Sequence, residues 1–469
     1  MKIKLKQSCT FLESDVETPI SLFLRQKGAE EGILLESVEV SGRWGRYSVI
    51  AVDFLLCLRC SGGKLALTVN DKRFDVLRGL EGEPFVDGLR AVMQSISIER
   101  DETGGGNDFP PISRGLYGYL GYGAAGLFEP ALAASLPPEQ AEACLVLPGS
   151  LTLFDHTYNK VCRLSVCEDS EKSGAAGGEK EESVDLALKP AQVGAISSNM
   201  EKEAYLGMVA EIQERIRQGE AIQVVPSVRF EASFSGEPFT IYRRLRRINP
   251  SPYMFFMRLP GLALMGSSPE VMVGCDAGVL SLCPIAGTRP RGSGEEEDNL
   301  FEEALVRDQK EQAEHVMLVD LGRNDLGRVA EPGTVQLERY MEVERFSHVM
   351  HLTSYIKAKL ARGRDALDVL QAVFPAGTVS GAPKIRAMEI IAEYEPASRG
   401  PYAGAIGWLG LDKDSVHMDT GITIRSLWAR EGKIFWQAGG GVVFDSVPEE
   451  EWKEINNKAA AVRVAIAAS

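Results

Sequence analysis

The chain has 469 residues and a formal net charge of −15, with 44% hydrophobic and 25% charged residues. Those values belong to a folded chain larger than one ordinary domain and exclude a disordered, fibrous or disulfide-scaffold protein. The acidic balance also excludes a general phosphate-tracking surface, so no nucleic-acid partner is expected, and Arg243, Arg244, Arg246 and Arg247 read as a solvated helix face.

The N-terminal MKIKLKQSCTF is basic but lacks the apolar run of a signal peptide, and no stretch of about eighteen apolar residues follows elsewhere. A cytoplasmic location with no membrane association is therefore expected. RYSVIAVDFLLCLRC and KLALTV read as strands. Cys57 and Cys60 form a CxxC inside the first of them, where odd spacing points the thiols to opposite faces, and no further cysteine or histidine cluster completes a zinc site. Buried, reduced thiols are expected. The stretch RGLYGYLGYGAAGLF predicts turns or close backbone packing.

Apolar periodicity vanishes in EDSEKSGAAGGEKEES, residues 168–183. This seam divides the chain into an N-terminal region (1–167), an acidic Gly/Ser-rich exposed loop (168–190) and a C-terminal region (191–469). Tyr205, Met208, Val209, Ile212 and Ile216 then recur at helical spacing, and IQVVPSVRFEASF switches to strand character. Residues 414–441 alternate strongly around Arg-Glu-Gly, predicting two antiparallel strands with His417, Thr423 and Arg425 on one face. Ser446, Pro448 and Glu449 predict a capping box opening a C-terminal helix. Hairpins mixed with helices, without regular βαβ alternation, indicate an α+β fold.

Two acidic pairs, Glu311 with Glu314 and Glu451 with Glu454, stand three residues apart on predicted helices, so each pair shares a face. Carboxylates from two such helices suit Mg²⁺, a hard cation that keeps coordination positions for an anionic substrate, although Glu-rich helices are more often plain solvated surfaces. Gly439, Gly440 and Gly441 follow a predicted strand, where backbone N–H groups can approach an anion or simply form a turn. GTVSGAPK has the wrong spacing for a P-loop; Gly381 and Pro383 there read as an ordinary helix start. His348 and His351 stand three apart, with no acidic or cysteine residue within four positions on the C-terminal side. There is no GxSxG elbow and no amidotransferase cysteine elbow, so ammonia drawn from glutamine requires another protein.

Four long motifs, PIAGTRPRG (284–292), KEQAEHVMLVDLGRNDLGRV (310–329), FPAGTVSGAPKIRAMEII (374–391) and QAGGGVVFDSVPEEEWKEINNKA (437–459), together closely resemble the chorismate-utilising enzymes. The resemblance implies two packed antiparallel β-sheets surrounded by helices, with a Mg²⁺ site between glutamates and chorismate. Glu314 and Glu454 look like direct metal ligands, with Glu311 and Glu451 assisting. Gly287, Thr288, Tyr402, Arg425, Gly439, Gly440, Gly441 and Lys458 look like chorismate contacts, Arg425 offering its planar fork to a carboxylate. Glu270 resembles the family's general acid, and His351 and Thr378 resemble further catalytic positions.

Within the family, Gln223 stands where water-using members resemble one another in having a lysine base, and Ala286 stands where many aminodeoxychorismate-forming members have a nucleophilic lysine. Both substitutions favour the anthranilate-forming branch, which uses ammonia and releases pyruvate. Aminodeoxychorismate formation and a noncatalytic tryptophan sensor are the alternatives. LLES (34–37) and NPSPYM (249–254) resemble the family's tryptophan-binding pattern, through Ser37, Pro252, Tyr253 and Met254. The resemblance thus implies feedback inhibition by L-tryptophan, a glutamine amidotransferase subunit as partner, and a heterotetramer of two large and two small subunits.

Overall fold

The computed structural model describes residues 2–12, 17–27, 30–36, 46–100, 109–167, 188–346 and 349–467. Two long strands organise it. Tyr47–Ser61, whose β-branched and leucine-rich run is buried along most of its length, pairs antiparallel with Ala143–Asp155 from Tyr47↔Asp155 to Cys60↔Ala143. The register shifts between Phe54 and Leu56, beside Asp53 at a φ of 57°, and this bulge bends the strand so that each half belongs to a different sheet.

The first sheet runs from Tyr47–Ser61 through Gly32–Glu36, Tyr253–Leu259, Leu262–Ser268, Ser426–Arg430 and Lys433–Gly439 to Ser227–Ser235. On its other side Ala143–Asp155 leads through Lys160–Cys167 to Ile3–Leu12. The second sheet runs from the start of Ala143–Asp155 through Gly115–Leu120, Ala405–Gly410, Met418–Ile422, Val271–Asp276 and Val279–Leu282 to Val349–Lys359. That last strand also carries Ile285–Pro290 and Gln336–Arg345. The expected antiparallel sheets are present, with one parallel pairing at the margin, Ile3–Leu12 with Ile96–Arg100.

The glycine-rich stretch has a steric cause. Gly118 and Gly407 face each other across two strands, and a Cβ on either would lie 1.9 Å from the Cys144 carbonyl oxygen or 2.1 Å from that of Asp419. Cys57 and Cys60 are buried free thiols, as expected.

Lys202–Arg217, Pro238–Ile248 and Pro448–Ala467 cover the first sheet, burying Tyr205, Ile212, Phe239, Trp436 and Ile455 in one cluster. The expected helical stripe, Tyr205 to Ile216, is the face that is buried. In the arginine cluster the solvated reading holds for Arg243 and Arg247, which are exposed, but Arg246 pairs at 3.0 Å with the buried Glu36, which also accepts from Tyr242 at 2.6 Å. Gln309–Gly327, Ala366–Val373 and Lys384–Tyr394 add Val319, Leu326, Leu370 and Met388 to the second cluster.

Two local expectations need correction. Residues 414–441 do not alternate throughout. Met418–Ile422 belongs to the second sheet, Arg425 takes a φ of 47°, and only Ser426–Arg430 with Lys433–Gly439 forms the hairpin, through Glu431 and Gly432 at positive φ. His417 consequently leaves the face of Arg425 and bonds Asp276 and Ser415. At the C-terminal helix, Ser446 donates to Glu451 at 2.7 Å instead of closing a capping box with Glu449.

Candidate active site

A cavity of about 1760 Å³ opens where the two sheets meet the helices Gln309–Gly327 and Pro448–Ala467. Glu270, Thr288, Glu314, His351, Thr378, Tyr402, Arg425, Gly439, Gly441, Glu451, Glu454 and Lys458 all line it. These positions span nearly two hundred residues of sequence and converge through the strand ends and helix faces just described. Gly287, Gly440 and Glu311 stand directly behind the lining. A Cβ on Gly287 would lie 3.2 Å from Glu311 Oε2, and one on Gly440 3.2 Å from Glu451 Oε2. Gln223 and Ala286 are also part of the wall.

The glycine run ends the strand Lys433–Gly439 and presents bare backbone because side chains do not fit. A Cβ at Gly439 would meet the Pro226 carbonyl and the Tyr402 hydroxyl at 2.9 Å, and one at Gly441 would meet Gln223 Nε2 at 2.6 Å. Gly439 also hydrogen-bonds Tyr402, while Lys458 Nζ donates to the Gly439 carbonyl at 3.2 Å.

The carboxylates form an electrostatically unfavourable group when no cation is present. Burial, then the charge of Glu311, pushes Glu314 above the usual carboxylate range, with Lys458 offsetting and Glu454 adding to the effect. Burial likewise raises Glu451, whose Oε1 accepts from Ser446 while Oε2 is buried without a partner. Glu454 is held by Lys458 at 2.6 Å and Glu311 by Arg289 at 3.3 Å. Among the described residues no three acidic, histidine or cysteine side chains converge into a preformed cage. An orphaned buried carboxylate oxygen beside further carboxylates fits a hard divalent cation as its missing partner.

Glu270, just past the strand Leu262–Ser268, lines the same cavity. Burial raises its pKa to about 7; Thr378, Lys458 and Arg425 offset part of that rise. The Thr378 hydroxyl, buried with no hydrogen-bond partner of its own, lowers the Glu270 pKa toward the carboxylate form. Glu270 can therefore carry a proton near neutrality and give it up, as a general acid must. The Arg425 guanidinium makes one long hydrogen bond, 3.5 Å to Asn249 Oδ1, and its charge remains available to an anion. His351 Nδ1 lies 2.8 Å from the Gly287 carbonyl, and burial keeps its pKa below the usual histidine value.

Of the remaining candidates, Ser37 and His348 lie outside the described residues. Pro252 lines the same cavity, the Tyr253 hydroxyl donates to Asp419 at 2.7 Å, and Met254 is buried opposite Glu36. At the helix start after Gly381, the Lys384 side chain donates to Asp325 and to the Val373 carbonyl.

Sequence reading missed Arg399. It is 2% exposed and donates to the carbonyls of Val379 and Val225 at 2.7 and 2.6 Å, and to both oxygens of Glu395. Its guanidinium also stacks over Tyr122 and Tyr402. The i, i+4 spacing of Glu395 and Arg399 was the one available signal, and it is indistinguishable from a surface pair.

Residues 71–464 match the family model described as chorismate binding enzyme. The chain is 38% identical to anthranilate synthase component 1 of Pseudomonas aeruginosa, over 97% of this chain and 94% of the relative. It is 40% identical to the Aquifex aeolicus protein of the same name over 97% and 94%. Among solved structures, anthranilate synthase component I from Streptococcus pneumoniae superposes with a TM-score of 0.71 at 32% identity, covering 97% of this chain and 99% of that one. The fold is shared more widely: the menaquinone-specific isochorismate synthase MenF of Escherichia coli gives 0.73 at 20% identity. The chain belongs to the chorismate-binding enzymes, and relatives that it matches over nearly its whole length are named anthranilate synthase component 1. Among the described residues no helix is long and apolar enough to cross a membrane.

Proposed function

We propose that this chain converts chorismate and ammonia to anthranilate, pyruvate and water, as the chorismate-binding subunit of an anthranilate synthase. The observation that carries the reading is the cavity lined together by a protonatable Glu270, by Arg425 and by an acidic wall, with neither family lysine present at Gln223 or Ala286.

Chorismate has two carboxylates. Arg425 and the backbone of the glycine run bind one, and Glu314 and Glu454, with Glu311 and Glu451 assisting, would hold Mg²⁺ for the other. The metal, when bound, supplies positive charge that neutralises the ring carboxylate. The nitrogen lone pair attacks C2 as the C4–O bond breaks, and Glu270 gives its proton to the departing hydroxyl, forming water. The ammonio nitrogen then loses a proton. Loss of the C2 hydrogen as a proton and cleavage of the C3–O bond release enolpyruvate, which takes up a proton to become pyruvate and leaves an aromatic amine. His351 and Thr378 stand where they orient the ring for these steps.

The lack of an amidotransferase cysteine elbow and the relatives' designation as component 1 support a glutamine amidotransferase partner, and the family resemblance supports a two-plus-two heterotetramer. Resemblance of Ser37, Pro252, Tyr253 and Met254 to the tryptophan-binding pattern supports feedback inhibition, with tryptophan binding an open state better than the substrate-closed one. A biosynthetic role of this kind belongs in the cytoplasm.

The test is product formation from chorismate, Mg²⁺ and ammonium salt at alkaline pH, read by fluorescence and mass, with Glu454→Ala as control. Anthranilate with pyruvate, lost in the variant and suppressed by L-tryptophan, is the expected result. A product retaining the enolpyruvyl group would assign the chain to aminodeoxychorismate formation.

A further inference from the structure

We propose that the buried hydrogen bond between His315 and Ser354 positions Glu314 for the metal, by fixing the helix Gln309–Gly327 on the second sheet. This rests on the metal-dependent reading above and adds two positioning residues, neither of which lines the cavity.

Three of the four carboxylates assigned to the cation are held by a neighbouring side chain: Glu311 by Arg289 at 3.3 Å, Glu451 by Ser446 at 2.7 Å and Glu454 by Lys458 at 2.6 Å. Glu314 makes no hydrogen bond or ion pair among the described residues, so its carboxylate stands where the helix backbone puts it.

The other side of the helix sets that backbone. Lys310, Ala313, Glu314 and Met317 line the cavity, whereas His315 and Gly322 meet the strand Val349–Lys359. His315 Nε2 lies 2.6 Å from Ser354 Oγ, and a Cβ on Gly322 would lie 3.0 Å from Ile356 Cδ1. Ser354 and Ile356 share one face of their strand, and His315 and Gly322 stand two turns apart on one face of the helix, so the helix runs along the strand. Successive helical residues turn by about 100°, and with His315 pinned to the sheet Glu314 points along the cavity side.

Ser354 uses both its donors and its Oγ lone pair in this joint. Its N–H donates to the Pro284 carbonyl at 3.1 Å, where the segment carrying Gly287 and Thr288 begins. Its Oγ accepts from Met341 N at 3.0 Å, at the bulged part of Gln336–Arg345 where Met341 takes a φ of 53°. The hydroxyl proton is left for His315 Nε2, which accepts it, while Nδ1 is buried with no hydrogen-bond partner. Ser354 is therefore the ring's one polar anchor among the described residues, and both residues are fully buried. Apolar contacts are non-directional. Without this bond they leave the helix free to make small rotations, and Glu314, which has no tether of its own, moves with it.

The experiment uses the full chain as His315→Met, His315→Gln and Ser354→Ala. Mn²⁺ binding is titrated by electron paramagnetic resonance with chorismate present and ammonium left out, and the chorismate KM is measured at saturating Mg²⁺. His315→Met and Ser354→Ala should weaken Mn²⁺ binding about fivefold or more, with the chorismate KM within about twofold of the parent. Glutamine keeps an acceptor near the position of Nε2, so His315→Gln should stay within about twofold of the parent in Mn²⁺ affinity. Unchanged Mn²⁺ affinity in folded variants, even with a lower melting temperature, overturns the proposal, and so does a His315→Gln variant as weak as His315→Met. If His315→Met fails to fold, Ser354→Ala decides by the same criterion. A parent chain that binds no Mn²⁺ overturns the metal reading and this inference together, whereas a parent that binds it with unaffected variants overturns only the inference.

Discussion

His351 Nδ1 stands 2.8 Å from the Gly287 carbonyl oxygen and 3.1 Å from the Thr288 hydroxyl. A carbonyl only accepts, so Nδ1 carries the proton and Nε2 keeps the lone pair. Gly287 holds this carbonyl in place at a φ of 65°, and a Cβ there would lie 2.9 Å from Leu305 Cδ1. Gly287→Ala should therefore cost about 1–2 kcal/mol in backbone strain, seen as a lower melting temperature. It should also reduce kcat/KM by more than that loss of folded protein explains, because the imidazole loses its anchor.

Glu270 makes stability depend on pH in a defined direction. Its pKa is raised from 4.5 to about 7 by burial. Its contribution is thus fully present below the unfolded value and is lost as pH rises through the folded value. Glu270→Gln should gain stability relative to the parent between about pH 5 and pH 8, by an order of 3 kcal/mol at the upper end. Paired thermal melts across that range check it, and the same variant should lose turnover.

Arg425 spends little of its bonding capacity on the protein, with one 3.5 Å contact to Asn249. Arg425→Lys keeps the charge and removes the planar fork. An increase of about 10- to 100-fold in the chorismate KM is expected, with the ammonium KM little changed.

The side chains of Arg399 and Glu395 are 1% and 5% exposed. Removing one partner leaves the other charge buried and frees the carbonyls of Val225 and Val379. Arg399→Met should destabilise the chain by about 3–5 kcal/mol in a denaturant titration, well beyond the effect of an exposed pair such as Arg78 with Asp75.

Much of this was legible where the signal is local. The stripe from Tyr205 to Ile216 was readable because helical periodicity is set within a few turns, and the glycine run because backbone close to a wall excludes side chains. The strands of residues 414–441 were misjudged because Arg425 at positive φ interrupts an alternation that looks continuous in one dimension. The site residues were identified through the order of four long motifs, since Glu-rich spacing alone does not separate a metal site from a solvated helix. Arg399 was invisible for another reason: its acceptors on Val225 and Val379 lie 174 and 20 residues away in sequence, and only folding brings them together.

The central claim is that this cavity replaces the C4 hydroxyl of chorismate with nitrogen at C2 and then releases pyruvate. The most direct measurement is turnover with ¹⁵N-ammonium in ¹⁸O-water, with products resolved by mass. The account predicts ¹⁵N in anthranilate and one pyruvate formed per anthranilate. Isochorismate labelled with ¹⁸O at C2, or an aminated product that keeps its enolpyruvyl group, would contradict it.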